Sequence, residues 1–251
     1  MTPNSKPIIS LIIPVLNEEK LLEATLGFYT SELKSAFGVE IVVSDGGSTD
    51  ESMGIAERLA DVVVRHSSGK KQTIAEGRNL GAERASGSVL AFINADTYPY
   101  NPHDFFTQIS KFAERQGKYS KASALACPVR FAPDQQKFKD VLFHGFYNNY
   151  VWLLSLFRIG AGRGECQIVR TDVFKAVGGY RSNLAAGEDF DLFARIGMRA
   201  RVRFARELLV VESPRRFRKF GYFRVVLWWT LNALSVMFRG KSSSDEWEPV
   251  R

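Results

Sequence analysis

Glu188, Asp189 and Asp191 fall within four positions of one another, and crowded negative charge raises the proton affinity of at least one of them, which suits a general base. The same acids open a helix predicted to run to Met198, where carboxylates favour the helix dipole; that reading explains one acid more easily than three. Arg215 and Arg216 are adjacent guanidinium groups that can grip phosphate oxygens in pairs, set against the plainer reading of a solvated basic loop. Further polar sets each follow an apolar run: Asn17-Glu18-Glu19, then Asp45, then His66 to Lys71 with its two lysines, then Asn94-Ala95-Asp96.

The apolar runs before those sets read as strands. Ile8 to Val15, Glu40 to Ser44, Asp61 to Arg65 and Ser88 to Ile93 are short and rich in Val, Ile and Leu. Between them, Glu18 to Phe37 places Leu22, Leu26, Tyr29 and Leu33 at helical spacing, and Gln72 to Ala85 supplies another helix. The turn Asp45-Gly46-Gly47-Ser48-Thr49-Asp50 is glycine-rich, and Ser48 or Asp50 is placed to cap the helix after it. Such a β-α alternation predicts an α/β fold with a mostly parallel sheet covered on both faces. Ligands of doubly wound sheets bind beyond the carboxyl ends of the strands, so the polar sets gather at one edge.

In order along the chain, these strings resemble glycosyltransferase family 2. The resemblance rests on Ser10-Leu11-Ile12-Ile13-Pro14-Val15-Leu16-Asn17-Glu18-Glu19, on Ser44 to Asp50, on Gly77-Arg78-Asn79-Leu80-Gly81 and on Asn94-Ala95-Asp96-Thr97. It extends through Val177-Gly178-Gly179-Tyr180 and Gly187-Glu188-Asp189-Phe190-Asp191-Leu192, spanning about residues 8–217. It implies a Rossmann-like GT-A domain over residues 1–220, with a nucleotide-sugar half over about 8–97 and an acceptor half over about 98–220. It also implies site roles. Pro14, Asn17 and Glu19 border the nucleotide, Asp45 faces base or ribose, and Arg78 lies near the nucleotide. Asp96 holds a divalent metal, Mn2+ or Mg2+, on the diphosphate, and Asp189, with Glu188 beside it, is the base. The family triplet often opens with Asp where this chain has Asn94, a weaker ligand. The Gln-x-x-Arg-Trp signature of processive synthases is absent, and Pro214-Arg215-Arg216-Phe217 stands near its place, which argues against a polymerising synthase; the resemblance implies transfer of a single sugar with inversion.

Composition narrows the alternatives. The chain has 251 residues, 45% hydrophobic and 24% charged, with a net charge of +7, so it can bury a core and is not a disordered sequence. Cys127 and Cys166 form no Cys-x-x-Cys pair, and the three histidines show no metal-ligand spacing, which argues against a zinc site or disulfide framework and for a reducing, cytoplasmic compartment. Met1 to Lys6 is polar, and the apolar run after it is too short for a signal peptide. A nucleotidyltransferase, which can use a similar α/β half, is the alternative enzyme, although it usually opens with a glycine-rich loop after the first strand, where Pro14 to Glu19 has no glycine. A dinucleotide-dependent reductase is excluded because no Gly-x-Gly-x-x-Gly follows a strand. A non-catalytic nucleotide-sugar-binding relative is the third reading.

The basic charge argues against nucleic acid and for a membrane. Basic side chains from Arg195 to Arg224 outnumber Glu207 and Glu212, and the apolar stretch Val225 to Phe238 follows directly. As a helix that stretch measures about 21 Å, short of the roughly 30 Å hydrocarbon core. Arg224, Trp228, Asn232, Ser235 and Arg239 share one narrow stripe and leave a broad apolar face, which either packs on the domain or lies in an anionic lipid interface. The aromatic-rich segment Phe138 to Phe157 is either core or a companion around a polyprenyl or other lipid acceptor. Residues 221–240 are thus a separate apolar helix and 241–251 a Ser-rich, disordered tail.

Overall fold

The structure, a computed structural model, describes residues 8–67 and 72–244. Lys70 and Lys71 of the third polar loop, and residues 245–251 of the tail, lie outside the described residues.

The apolar runs of the first half become strands β1 (Ile9–Val15), β2 (Val39–Asp45), β3 (Val62–Arg65) and β4 (Val89–Ile93), all parallel, in the order β3-β2-β1-β4. Every residue of β2 and β4 is buried, as a sheet covered on both faces requires. One face packs against α1 (Glu19–Gly27), α2 (Ser31–Phe37) and α3 (Ser52–Leu59); the other carries α4 (Ile74–Arg84). The strand ends match expectation to within a residue. The helix expected over Glu18 to Phe37 is instead two helices, because Tyr29 turns inward onto Phe106 and the Thr30 hydroxyl accepts from the Leu33 amide at 3.3 Å, starting α2 afresh. Neither Ser48 nor Asp50 is the N-cap residue of α3, which is Glu51, although an Asp50 oxygen accepts from the Ser52 amide at 3.0 Å.

Chain order reverses between β1 and β4, and this is the switch point at which doubly wound sheets open a crevice. The second half builds the far wall. After β5 (Thr97–Pro99) and α5 (Pro102–Ala113) come β6 (Ala124–Ala126), β7 (Val129–Phe131), α6 (Phe138–Leu156) and β8 (Cys166–Arg170). They are followed by α7 (Thr171–Ala176), α8 (Glu188–Gly197), β9 (Val202–Phe204), β10 (Val210–Glu212), α9 (Arg215–Phe220) and α10 (Tyr222–Arg239). β8 runs antiparallel to β4 with Cys166 opposite Ile93, and β6 and β9 extend the sheet to seven strands among the described residues. Cys127 and Cys166 are buried and free. A smaller sheet, β5-β10-β7, sets Glu212 opposite Thr97 and so delivers the segment after Glu212 to the triplet that precedes β5.

The middle of the polar stripe of α10 faces the protein, while Arg224 and Arg239 at its ends are exposed. Asn232 is 2% exposed and Ser235 8%, whereas Leu227, Leu231, Leu234 and Met237 point outward. Asn232 Oδ1 accepts from the amides of Ser243 and Ser244 at 3.0 and 3.2 Å, and the Ser242 hydroxyl donates to the Ala186 carbonyl at 2.7 Å, so the tail expected to be disordered is held against the domain through residue 244.

Candidate active site

A cavity of about 430 Å³ lies at the β1/β4 switch point. Its floor is Pro14, Val15 and Leu16 from β1, Gly46 from the loop after β2, and Asn94, Ala95 and Asp96 after β4. Glycines let the backbone close around it. A Cβ on Gly81 of α4 would stand 2.6 Å from the Ile12 side chain, so α4 rests directly on β1.

Arg78 on α4 organises the inner wall. Its side chain is 1% exposed; Nη1 donates to Glu188 Oε1 at 2.9 Å, and Nη2 donates to Asn94 Oδ1 at 3.0 Å and to the Gly164 carbonyl at 2.6 Å. The Asn94 amide oxygen is therefore spent on Arg78. Asn79 secures the neighbouring turn: its Nδ2 donates to the Tyr180 carbonyl at 2.8 Å and its Oδ1 accepts from the Tyr180 amide at 2.9 Å. Gly179 in that turn has φ +66°, and a Cβ there would meet Asn79 Oδ1 at 2.8 Å.

The acids at the start of α8 separate in role. Burial, then the charge of Asp189, push the Glu188 carboxyl up to about 7 against the opposing pull of Arg78. The Asp189 carboxyl is also raised, chiefly by burial, while Arg78 draws it down. It lines the cavity above Gly164, where an added Cβ would lie 2.5 Å from Asp189 Oδ2. Asp191 turns away from the cavity onto Arg195 at 2.7 Å and Arg181 at 3.1 Å, so it adds nothing to the crowding expected of three acids.

Pro14, Arg78, Asn94, Asp96, Glu188, Asp189, Arg215 and Arg216 all line the cavity. Asn17, Glu19 and Asp45 act one layer out. Asn17, at φ 53°, accepts from the Thr49 amide at 2.7 Å, and its own amide donates to Ser48 Oγ at 2.8 Å. Glu19 accepts from the Glu51 amide at 3.1 Å. Asp45 accepts from the amides of Gly47 and Ser48 at 2.9 and 3.0 Å. These bonds fasten the two loops and shape Gly46 for the cavity floor.

Three charged residues that the sequence reading did not single out complete the outer wall. Arg163 reaches Glu165 through Nε at 3.2 Å and Nη2 at 2.7 Å, Glu212 at 2.7 Å, and His144 Nδ1 at 3.0 Å. Burial pushes the Glu212 carboxyl well up, aided by the adjacent Glu165; Glu165, buried as deeply, is nevertheless held low by the charge and hydrogen bonds of Arg163. Arg163 also faces the rings of Tyr147 and Trp229 at 5.3 and 5.9 Å. An arginine between glycines, Gly162-Arg163-Gly164, was the one local sign of this group.

Among the described residues no group of three or more Asp, Glu, His or Cys is arranged to hold a metal alone. Asp96 offers one hard carboxylate to the cavity, with Oδ2 3.1 Å from Arg215 Nη2. Burial raises its proton affinity and Arg215 opposes this. One carboxylate fits an ion that brings its remaining ligands from diphosphate and water, as Mg2+ does in phosphate sites.

The family model "Glycosyl transferase family 2" matches residues 10–177. The succinoglycan biosynthesis protein ExoA of Rhizobium meliloti is 29% identical over 230 residues, covering 85% of this chain and 67% of that protein. The glycosyltransferase AglE of Haloferax volcanii is 33% identical over 100 residues, which is 38% of this chain and only 32% of the length of AglE. Among solved structures, the mannosyltransferase PcManGT of Pyrobaculum calidifontis, in complex with GDP-Man and Mn2+, superposes with a TM-score of 0.60 at 18% identity over 84% of this chain and 58% of its own. That likeness is one of fold, the GT-A fold, over most of the chain. The family match covers β1 through α7 and includes Pro14, Asp45, Arg78 and Asp96 of the cavity and its supports, and on that match the chain belongs to glycosyl transferase family 2.

Proposed function

We propose that this protein is a glycosyltransferase that moves one sugar, with inversion, from a nucleoside-diphosphate-sugar to an acceptor hydroxyl. The observation that carries the reading is the meeting of Asp96, Asp189, Arg215 and Arg216 around one cavity at the sheet switch point. The nucleotide lies over Pro14 and Gly46 beside the loops held by Asn17, Glu19 and Asp45, with the diphosphate toward Asp96, Arg215 and Arg216. Paired guanidinium groups there hold phosphate oxygens at fixed angles. Asp96 is the carboxylate that would hold a divalent ion carried on the diphosphate, and the chemistry such an ion supplies is neutralisation of the leaving group's charge.

Asp189 takes the proton from the acceptor hydroxyl. The acceptor oxygen forms its bond to the anomeric carbon on the face opposite the diphosphate, and the departing diphosphate oxygen keeps the electron pair of the broken bond. Burial favours this by raising the proton affinity of Asp189, while the charge of Arg78 opposes that rise. Glu188 serves the same step indirectly by holding Arg78 in place.

The acceptor is lipid-linked, of polyprenyl or similar kind, and the protein works peripherally on the cytoplasmic face of an anionic membrane, docked through Arg215 to Arg239. No described helix is long and apolar enough to cross a membrane, which accords with surface attachment. A thermal-shift screen of UDP-, GDP- and dTDP-sugars with and without Mn2+ tests donor binding. A ligand at 100 times its dissociation constant adds about 2.7 kcal/mol of stability, so a stabilising donor is expected in one series. Binding without transfer to any acceptor would support the non-catalytic alternative.

A further inference from the structure

The exposed large apolar side chains are concentrated on two helices, α6 and α10. On α6, Leu142, Phe146, Tyr150, Leu153 and Phe157 fall on one side and face solvent, while His144, Val151 and Ser155 on the opposite side are buried. From Val141 to Phe157 there is no Asp, Glu, Lys or Arg, so the outer side of this 19-residue helix lacks the charge of an ordinary solvated face. On α10, Asn232 and Ser235 are turned inward, and Leu227, Leu231, Leu234 and Met237 face out. The helices lie side by side: Phe143 meets Tyr222 at 4.6 Å, and Tyr147 meets Trp229 at 5.5 Å. Their outer sides are therefore neighbours, and apolar patches of this extent mark an interaction site.

Charge identifies the occupant. Exposed Lys137 and Lys139 flank the start of α6 and Arg158 follows its end; Arg218, Lys219 and Arg224 flank the start of α10, and Arg239 and Lys241 its end. No acidic residue occurs from Val141 to Gly164 or from Ser213 to Ser244, and Asp140, the one acid on either helix, is buried and bonded to Arg218 and Tyr222. An apolar strip with basic side chains at both ends is complementary to an anionic bilayer: apolar side chains enter the acyl boundary and the cations meet headgroup phosphates.

We propose that α6 and α10 together form a two-helix membrane-binding surface, in which α6 is an equal partner to the basic C-terminal helix and both lie flat in the interface of an anionic phospholipid bilayer. The proposal rests on the reading of α10 as lipid-facing and adds α6 to it. Tyr147 of α6 and Trp229 of α10 line the catalytic cavity from their inner sides, so the surface lies beside the cavity and a lipid-anchored acceptor can reach Asp189 without leaving the bilayer.

The test is flotation of the full chain with vesicles of phosphatidylcholine alone or mixed with phosphatidylglycerol. It compares the parent with Leu142→Glu/Leu153→Glu on α6 and Leu227→Glu/Leu231→Glu on α10. The parent is expected to float with the anionic vesicles, and each double variant to lose at least about tenfold in bound fraction. Binding of a nucleoside-diphosphate-sugar, followed by calorimetry without lipid, stays unchanged in both variants and separates this result from failure of the catalytic reading. If the α6 variant floats as well as the parent, the role of α6 is overturned while that of α10 stands. If the parent does not float, both are overturned. If the parent sediments as a dimer that the α6 variant dissolves, and binds no vesicles, the occupant is a second copy and the proposal fails.

Discussion

Arg215 closes an ion pair on Asp96 at 3.1 Å and reaches Glu18 at 2.6 Å with the same nitrogen, so the carboxylate proposed to meet the donor's metal already faces a cation. The pair follows from the small sheet: β10 pairs with β5, and three residues after Glu212 the chain returns over the triplet. On the proposed function, a diphosphate between them would offer anionic oxygens to Arg215, and Asp96 would hold the ion that it carries.

Arg215→Gln is accordingly expected to weaken binding of UDP or GDP by roughly tenfold or more, since a charge-assisted hydrogen bond contributes about 1.5–3 kcal/mol. The affinity for uridine or guanosine, which lack phosphate, stays the same. Calorimetry with the four ligands separates the two effects.

Asp189→Asn keeps the shape of the cavity and removes the base. Turnover is expected to fall by about 10² to 10⁴ while donor affinity changes little. A direct transfer assay with a true acceptor measures the first, and calorimetry the second; undiminished turnover would move the base to another group.

Arg78→Met removes the cation that Glu188, Asn94 and the Gly164 carbonyl share. Breaking one side of a buried ion pair costs about 3–5 kcal/mol, so the midpoint of urea unfolding is expected to fall sharply. Adding Glu188→Gln to that variant recovers part of the loss, because no charge is then left unpaired. Additive effects of the two changes would contradict the pairing.

Much of this was legible in the chain. The runs of Val, Ile and Leu marked β1 to β4 nearly to the residue, because a parallel strand buried on both faces leaves no room for polar alternation. The helix over Gln72 to Ala85 was legible too, and the structure adds that it is set hard against β1, where Gly81 leaves no space for a Cβ against Ile12. Arg163, Glu165 and Glu212 escaped notice because α6, β8 and β10 bring them together only in the folded chain. The polar stripe of α10 was legible, but its direction was set by distant groups, Ser243 and Ser244, which draw Asn232 inward.

The same outer wall has a pH signature. Burial, with the adjacent Arg163, pushes the His144 imidazole from its usual 6.5 down to about 3. Between those values the unfolded chain binds a proton that the folded chain does not, so stability rises with pH up to about 6.5 and is lost as pH falls. One such group gives a slope of about 1.4 kcal/mol per pH unit. Glu188, pushed up to about 7, titrates in the opposite sense over the same window, so the His144 contribution is read as a difference: in urea titrations between about pH 5 and 6.5 the stability of the parent should rise more steeply, or fall less steeply, with pH than that of His144→Gln. Equal slopes would place the acid sensitivity elsewhere.

The most direct measurement is calorimetric titration of the stabilising nucleoside-diphosphate-sugar into the parent and into Asp96→Ala, each with and without Mn2+. The account predicts that Mn2+ tightens binding to the parent and has no such effect on the variant, since Asp96 is the carboxylate proposed to hold the ion. The same affinity and the same response to Mn2+ in both proteins would contradict it.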